Sequence, residues 1–212
     1  MIQQLADYIC SQTLSHPVRV GIDGVDGAGK TYLADELADA ISDRNVIRAS
    51  IDGFHHPKEH RYQKGRLSAE GYYKDSFNNQ ALIDSLLEPL GPSGNLEYRK
   101  AVFDYRTDSI VDAPLEQAKS NDVLIVDGVF LFRPELQDYW DIKIFVDVPF
   151  EVTIPRAIER YADGDEEETR KHYRERYVPG QEIYFRESFP KEKADIVIEN
   201  EDFGNPNLTM QE

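Results

Sequence analysis

Residues 24–31 have the types and the spacing of a loop that holds phosphate groups. They read Gly-Val-Asp-Gly-Ala-Gly-Lys-Thr and fit the pattern G-x-x-x-x-G-K-[ST] at every fixed position. Glycines let the backbone wrap close to phosphate oxygens, and in this pattern Lys30 reaches the β- and γ-phosphates while the Thr31 hydroxyl holds Mg²⁺. The loop therefore predicts binding of a nucleoside triphosphate. The residues expected to contact it are Gly24, Asp26, Gly27, Ala28, Gly29, Lys30 and Thr31.

The elements on either side of this loop must position it. A short apolar run at 18–23 predicts a buried strand, and apolar residues spaced three and four apart over 31–42 predict a helix. The N-terminus of that helix adds a partial positive charge where the phosphates would lie. The alternative is an ordinary glycine-rich turn, and the order strand, loop, helix favours the phosphate loop.

Two aspartates follow other predicted strands. Asp127 ends the apolar run 123–126, and an acidic residue at that place supports Mg²⁺ in phosphate-loop enzymes. Asp52 ends a strand predicted at 46–51, where a carboxylate could accept the proton of an attacking hydroxyl. Asp127 could instead be a turn or cap residue, and Asp52 could hold Mg²⁺ or cap a helix. We interpret Asp127 as a metal-supporting residue and Asp52 as a catalytic base.

Arg156 and Arg160 are four residues apart and share one face of a helix predicted at 150–161. Two guanidinium groups on one face suit a transferring phosphoryl group, whose charge spreads over three oxygens. The alternative is a solvated helix whose arginines pair with nearby glutamates. We expect both arginines to be catalytic, and the charged segment at about 156–188 to act as a lid.

Side chains that could bind an acceptor molecule combine aromatic faces with charged or polar tips. Aromatic rings can stack on a flat base, and carboxylates can bind sugar hydroxyls. The candidates are His55, Tyr73, Asp75, Asp104, Tyr105 and Arg106. The alternatives are a solvated loop histidine and aromatic residues that belong to the core.

Composition excludes several classes of partner. Forty acidic residues against 24 basic ones give a formal charge of −16, which disfavours nucleic acid and anionic membrane surfaces. The single cysteine, Cys10, cannot form an internal disulfide. No apolar run approaches the roughly 20 residues of a membrane span, and the N-terminus lacks the pattern of a signal peptide. We therefore expect a cytoplasmic enzyme of one domain over 1–212.

Strands that alternate with helices predict a parallel, doubly wound α/β sheet. Apolar runs at 123–126 and 142–146 have the pattern of strands buried on both faces. Ligands of such sheets bind beyond the carboxyl ends of the strands, so the loop 24–31, Asp52, Asp127 and the segment after Val146 should converge. The polar stretch 53–78 is predicted to be functional or partly helical, and the tail from Glu199 loosely ordered.

Four segments together resemble the uridine kinase, phosphoribulokinase and pantothenate kinase group of phosphate-loop kinases, with uridine kinases as the nearest likeness. They are 21–24, 52–55, 126–129 and 143–147, the last leading to Arg156 and Arg160. The resemblance implies a five-stranded parallel sheet with helices on both faces, a helical lid, ATP and Mg²⁺ as cofactors, and, as in many members, a homo-oligomer. It also implies that Asp52 is the general base, that Asp127 supports the metal and that the arginines bind phosphate.

The expected activity is transfer of the γ-phosphate of ATP to a hydroxyl of a small molecule, first of all the 5'-hydroxyl of uridine or cytidine. The segment 103–105 looks like the nucleoside pocket of uridine kinases, whereas 52–57 looks closer to pantothenate and sugar kinases, which are the alternative. Residues 163–166 are acidic where uridine kinases carry a basic lid stretch. A nucleotide-binding regulatory switch without an alcohol substrate is the hypothesis from another class.

Overall fold

The computed structural model describes residues 1–160, 165–202 and 204–211, without the side chain of Arg160. The strands are β1 Val18–Gly24, β2 Val46–Ser50, β3 Glu97–Tyr98, β4 Phe103–Asp104, β5 Ser109–Ile110, β6 Glu116–Gln117, β7 Val123–Asp127, β8 Ile142–Asp147, β9 Ile196–Glu199 and β10 Asn207–Met210. The main sheet has the order β10-β9-β8-β1-β7-β2. All its neighbouring strands are parallel except β10, which runs antiparallel to β9. The prediction of a parallel α/β sheet is confirmed.

The five expected parallel strands are present, and the antiparallel edge strand β10 adds a sixth strand and corrects the expectation of a loosely ordered tail. Asn207–Met210 pairs in register with Glu199 to Ile196, and Leu208 packs partly buried against the core. The segment is short and its other side chains are exposed, so its sequence carries no strong strand pattern.

Helices cover both faces of the sheet. They are α1 Ile2–Ser11, α2 Lys30–Ala40, α3 Lys58–Arg61, α4 Ala69–Asp75, α5 Asn79–Leu82, α6 Phe150–Arg160, α7 Glu166–His172, α8 Val178–Ser188 and α9 Pro190–Lys193. Turns of π-helix at Ile83–Leu87 and Tyr173–Tyr177 extend α5 and join α7 to α8, and 3₁₀ turns lie at Ile51–Phe54 and Gln137–Tyr139. The stretch 53–78 is partly helical, as predicted, through α3 and α4. Within the described ranges no helix is both long and apolar enough to cross a membrane.

The core forms two layers, one on each face of the sheet, which explains the uninterrupted apolar runs. In β7, Val123 and Ile125 pack with α1 and α2, whereas Leu124 and Val126 pack on the opposite side. All five residues of this strand are buried. Because successive side chains point to opposite faces, a strand covered on both faces needs apolar residues at consecutive positions.

The strand register brings the carboxyl ends of four strands to one edge. Asp127 pairs with Ile22 of β1 and with Ser50 of β2, and Gly24 pairs with Val146 of β8. The loop 24–31, the turn that holds Asp52, and Asp127 therefore follow neighbouring strands at the same edge, as expected for such a sheet.

Candidate functional site

The loop 24–31 has a backbone path that requires glycine at particular positions. Gly24, Gly27 and Gly29 have φ angles of 151°, 78° and 91°, which residues with a side chain rarely adopt. A Cβ on Gly24 would also lie 2.5 Å from the carbonyl oxygen of Val146, and one on Gly27 would lie 2.7 Å from that of Thr153. The loop is thus pressed against β8 and α6, and it has the tight glycine path that a phosphate cradle needs.

Lys30 begins α2 directly after this loop. Its side chain is buried, and the Nζ donates a hydrogen bond of 2.7 Å to the carbonyl oxygen of Val25. The ammonium group therefore folds back over the loop, where it lies beside the backbone that would surround phosphate groups.

Asp26 connects the loop to two helices that sequence reasoning did not link to it. Its N–H donates to Oε1 of Gln181 in α8 at 2.8 Å, and its Oδ2 accepts from the hydroxyl of Tyr72 in α4 at 2.9 Å. The helices approach closely because position 180 is glycine, where a Cβ would lie 2.7 Å from the Tyr72 ring. The helical segment 166–188 is thus anchored on the loop.

Thr31 and Asp127 meet at the centre of the edge. The Thr31 hydroxyl donates to Oδ2 of Asp127 at 2.6 Å, and the carboxylate is buried. Oδ1 is buried as well and accepts no hydrogen bond within the described residues, although Nη2 of Arg48 lies 3.0 Å away as an ion pair. A hydroxyl and a carboxylate with an unused lone pair are the oxygen donors that Mg²⁺ takes, directly or through water. These residues fit a magnesium site.

Asp52 lies in the turn Ile51–Phe54, directly after β2. Its backbone N–H donates to the Ser50 hydroxyl, which itself donates to the carbonyl oxygen of Asp127 at 3.3 Å. Its side chain is 55% exposed, and Oδ1 lies 3.5 Å from Nε2 of His55. The carboxylate is therefore open to a substrate and adjacent to the strand end that carries Asp127.

His55 and Tyr105 form an aromatic group beside Asp52. The His55 ring stacks on Phe77 with 4.4 Å between ring centroids, and Tyr105 lies tilted against it at 5.0 Å. Nδ1 of His55 lies 3.0 Å from the carbonyl oxygen of Ser76, which fixes the ring orientation. Arg106 donates from Nε to the Tyr105 hydroxyl, and this bond, together with nearby Asp104 and Asp52, raises the pKa of its guanidinium.

Three other acceptor candidates make local contacts instead. Tyr73 is buried among aromatic core residues, with its hydroxyl 3.3 Å from that of Ser188. Asp75 pairs with Lys64 at 3.0 Å. Asp104 accepts from the N–H of Arg106 and the hydroxyl of Thr107, which closes the β4–β5 hairpin. The contacts of Tyr73 and Asp75 are thus with residues outside the group around Asp52, whereas Asp104 lies near Arg106, as Asp52 does.

Two arginines of the expected lid, Arg156 and Arg176, are engaged with the protein itself. Arg156 donates to the carbonyl oxygens of Asn200, at 3.2 Å, and Glu201, just after β9. Arg176 is buried and donates to the carbonyl oxygens of Arg66 and Ser68. The side chain of Arg160 and residues 163 and 164 of the acidic stretch lie outside the described residues, and Asp165 caps α7.

Asp23 is a buried carboxylate under the phosphate loop that sequence reasoning did not single out. It accepts hydrogen bonds from the Tyr184 hydroxyl and from the N–H groups of Gly24 and Phe132. Burial raises the pKa of the Asp23 carboxyl to about 6, and the hydrogen bonds and Lys30 limit the rise. The signal in the sequence is an acidic residue inside an apolar strand, since such a residue needs buried partners.

This pKa predicts a pH-dependent contribution to stability. Because the folded-state pKa of Asp23 exceeds the unfolded value, the native state binds more protons between about pH 4 and pH 6, and stability is lost as pH rises through that window. Relative to Asp23→Asn, the wild-type free energy of unfolding should fall by about 2 kcal/mol between about pH 4 and pH 7. Denaturant unfolding of both proteins across this range measures it, and parallel pH profiles would refute the assignment.

The sheet order, the glycine loop after β1 and the Thr31–Asp127 pair define the phosphate-loop class of proteins, to which ATP-dependent small-molecule kinases belong. The model of the phosphoribulokinase / uridine kinase family matches residues 19–199, and the chain belongs to this family.

Relatives and solved structures agree with this assignment. A uridine kinase of Clostridium novyi is 27% identical over 148 residues, which cover 69% of each chain. A uridine kinase of Bacillus cereus (strain AH187) is 30% identical over 149 residues, 68% of this chain and 66% of the relative. The structure described as a possible uridine kinase from Bacillus stearothermophilus superposes with a TM-score of 0.71 at 22% identity, covering 92% of this chain and 96% of the other. A D-glycerate 3-kinase from Cryptococcus neoformans has a TM-score of 0.66 at 14% identity with 99% of both chains covered. At these identities the two structures show the shared fold.

Proposed function

We propose that this kinase transfers the γ-phosphoryl group of ATP to a hydroxyl of a small molecule, and that the acceptor is the 5'-hydroxyl of uridine or cytidine. The observation that carries the proposal is the position of Asp52. Its solvent-open carboxylate follows the strand that pairs with Asp127, so a base for an alcohol lies beside the residues suited to phosphate and metal.

On the donor side, Lys30 and the loop amides would hold the triphosphate, and Thr31 and Asp127 would hold Mg²⁺. Bound Mg²⁺ would neutralise charge that develops on the phosphate oxygens. Lys30 would exchange the neutral carbonyl oxygen of Val25 for phosphate oxygens, so that its ammonium group would face negatively charged acceptors and bind more strongly.

On the acceptor side, the hydroxyl oxygen of the substrate would form a bond to the γ-phosphorus, and Asp52 would take the proton of that hydroxyl. The bond between that phosphorus and the bridging oxygen breaks, and ADP leaves. His55, whose Nε2 lies 3.5 Å from Oδ1 of Asp52, would orient the carboxylate. The ring of Tyr105, which is partly exposed and lies against His55, would stack on a flat pyrimidine.

The segment 156–188 would act as a lid over the reacting groups. Its anchor is the bond between Gln181 and Asp26, which ties α8 directly to the phosphate loop. For Arg156 to stabilise the transferring phosphoryl group, its guanidinium must first leave the carbonyl oxygens of Asn200 and Glu201.

A hydroxy acid such as pantothenate is the second candidate acceptor. Arg106 is exposed, and it lies close enough to Asp52 for the carboxylate to contribute to the raised pKa of the guanidinium. It could therefore pair with the carboxylate of a substrate that binds beside Asp52. A sugar remains an alternative within the same family. A regulatory switch, in contrast, has no use for a solvent-open base next to the phosphate site.

The acceptor is identified by ADP release from Mg·ATP over a panel of uridine, cytidine, pantothenate, ribulose 5-phosphate, several sugars and no acceptor. Turnover that rises only with a pyrimidine nucleoside is the expected result. Stimulation by pantothenate alone would keep the mechanism and replace the substrate. Tight ATP binding with no stimulated turnover would favour the regulatory switch.

A further inference from the structure

Arg48 in β2 reaches the proposed metal site from the strand that pairs with β7. Its Nη2 lies 2.9 Å from Oδ1 of Asp35 in α2 and 3.0 Å from Oδ1 of Asp127. Nη1 donates to the carbonyl oxygens of Ala49 and Ile125, which holds the guanidinium plane in place. The group is thus fixed between two carboxylates, one buried and one exposed.

The two carboxylates differ in what else they contact. Oδ2 of Asp127 accepts the Thr31 hydroxyl, and its Oδ1 has only the ion pair with Arg48 within the described part of the chain. Asp35 is 62% exposed and receives a geometrically good hydrogen bond from Nε of Arg48 at 3.0 Å. The oxygen that suits a metal or its water is therefore the one that the guanidinium neutralises.

We propose that Arg48 is a positioning residue that sets the affinity of the divalent-metal site by sharing its charge between Asp127 and Asp35. The inference rests on the proposed role of Asp127 as the metal-supporting residue. A fixed positive charge beside Asp127 repels a dication and lowers the negative potential of its ligand. Asp35 reduces this repulsion, because the guanidinium can keep its ion pair with Asp35 while Asp127 binds the metal.

The two partners of Arg48 should therefore shift metal affinity in opposite directions. Arg48→Met removes the competing charge and should tighten divalent-metal binding by about five-fold or more. Asp35→Asn removes the second ion pair of Arg48, so the guanidinium pairs with Asp127 alone. Divalent-metal binding should then weaken by about two- to five-fold. Arg48→Lys retains the charge and should stay close to wild type.

The test is a titration of Mn²⁺, a paramagnetic substitute for Mg²⁺, into each protein saturated with ADP, with free metal measured by electron paramagnetic resonance. ADP affinity in EDTA and thermal unfolding of each variant are measured alongside. Opposite shifts for Arg48→Met and Asp35→Asn, with ADP affinity in EDTA unchanged, are the expected result. A merely structural role would weaken metal binding in both variants.

Two outcomes would overturn the inference: weaker metal binding in Arg48→Met, or a loss of ADP affinity in EDTA that shows direct contact with phosphate. If Arg48→Met does not fold, the Mn²⁺ affinities of Asp35→Asn and Arg48→Lys are compared instead. Equal affinities of these two variants would also overturn the inference. Failure of the proposed function looks different, because Asp127→Asn would then bind Mn²⁺ as well as wild type does.

Discussion

Replacing Asp52 with asparagine should lower phosphoryl transfer by about 10²- to 10⁴-fold while ATP binding stays within about two-fold of wild type. The amide keeps the size of the side chain and cannot take the proton of the acceptor hydroxyl. Asp52 is 55% exposed, and its Oδ1 lies 3.5 Å from Nε2 of His55, so the substitution changes a largely solvent-exposed group and should leave the fold intact. Steady-state turnover with the acceptor found in the panel, together with equilibrium binding of a non-hydrolysable ATP analogue, separates the two effects.

The matched control is Glu59→Gln, which neutralises an exposed carboxylate of α3 in the same segment of chain. Its turnover should equal that of wild type. Equal turnover of Asp52→Asn and wild type would remove Asp52 from the mechanism.

The second large effect is expected from Lys30→Met. Methionine fills a similar volume but has no charge to place against the β- and γ-phosphates, so kcat should fall by about 10²- to 10³-fold or more, as for removal of one preorganised donor. ATP affinity should weaken as well. The loss of the bond to the carbonyl oxygen of Val25 should cost stability about 1.5–3 kcal/mol, because this is the net contribution of a hydrogen bond that involves a charged group.

Lys74→Met is the control for charge removal, since Lys74 lies on α4 in an exposed ion pair with Glu70. It should leave both kcat and ATP affinity unchanged. A Lys30→Met protein that turns over as fast as this control would contradict the assignment of residues 24–31 as the phosphate loop.

The sequence was sufficient to predict the parallel part of the sheet, the glycine loop and the residues that follow the strands, but not the edge strand β10. Buried parallel strands appear as continuous apolar runs, and the glycine positions are fixed by backbone angles that other residues rarely adopt. Because residues at the ends of parallel strands share one edge, Asp52 and Asp127 could be placed together from local patterns alone.

The partners of these residues could not be predicted in the same way. Arg48 and Asp127 are far apart in the chain, and so are Asp26 and Gln181, and nothing local to either member identifies the other. Contacts of this kind depend on strand register and helix packing, which no periodicity reveals. Asp23 gave a local signal, an acidic residue in an apolar strand, but its partner Tyr184 did not.

Aromatic residues were the least readable from sequence. Tyr73 and Tyr105 have similar neighbours in the chain, yet Tyr73 is buried in the core and Tyr105 lies partly exposed against His55. An aromatic ring satisfies a core position and a binding surface equally well, so the residue type alone does not separate the two.

Phosphorus NMR of Mg·ATP incubated with the protein and the acceptor panel shows whether a phosphoryl group reaches an alcohol. We expect a phosphomonoester resonance that grows in step with ADP for one acceptor, and that grows at least about 100-fold more slowly with Asp52→Asn. Accumulation of ADP with inorganic phosphate alone, at the same rate with and without every acceptor, would contradict this expectation.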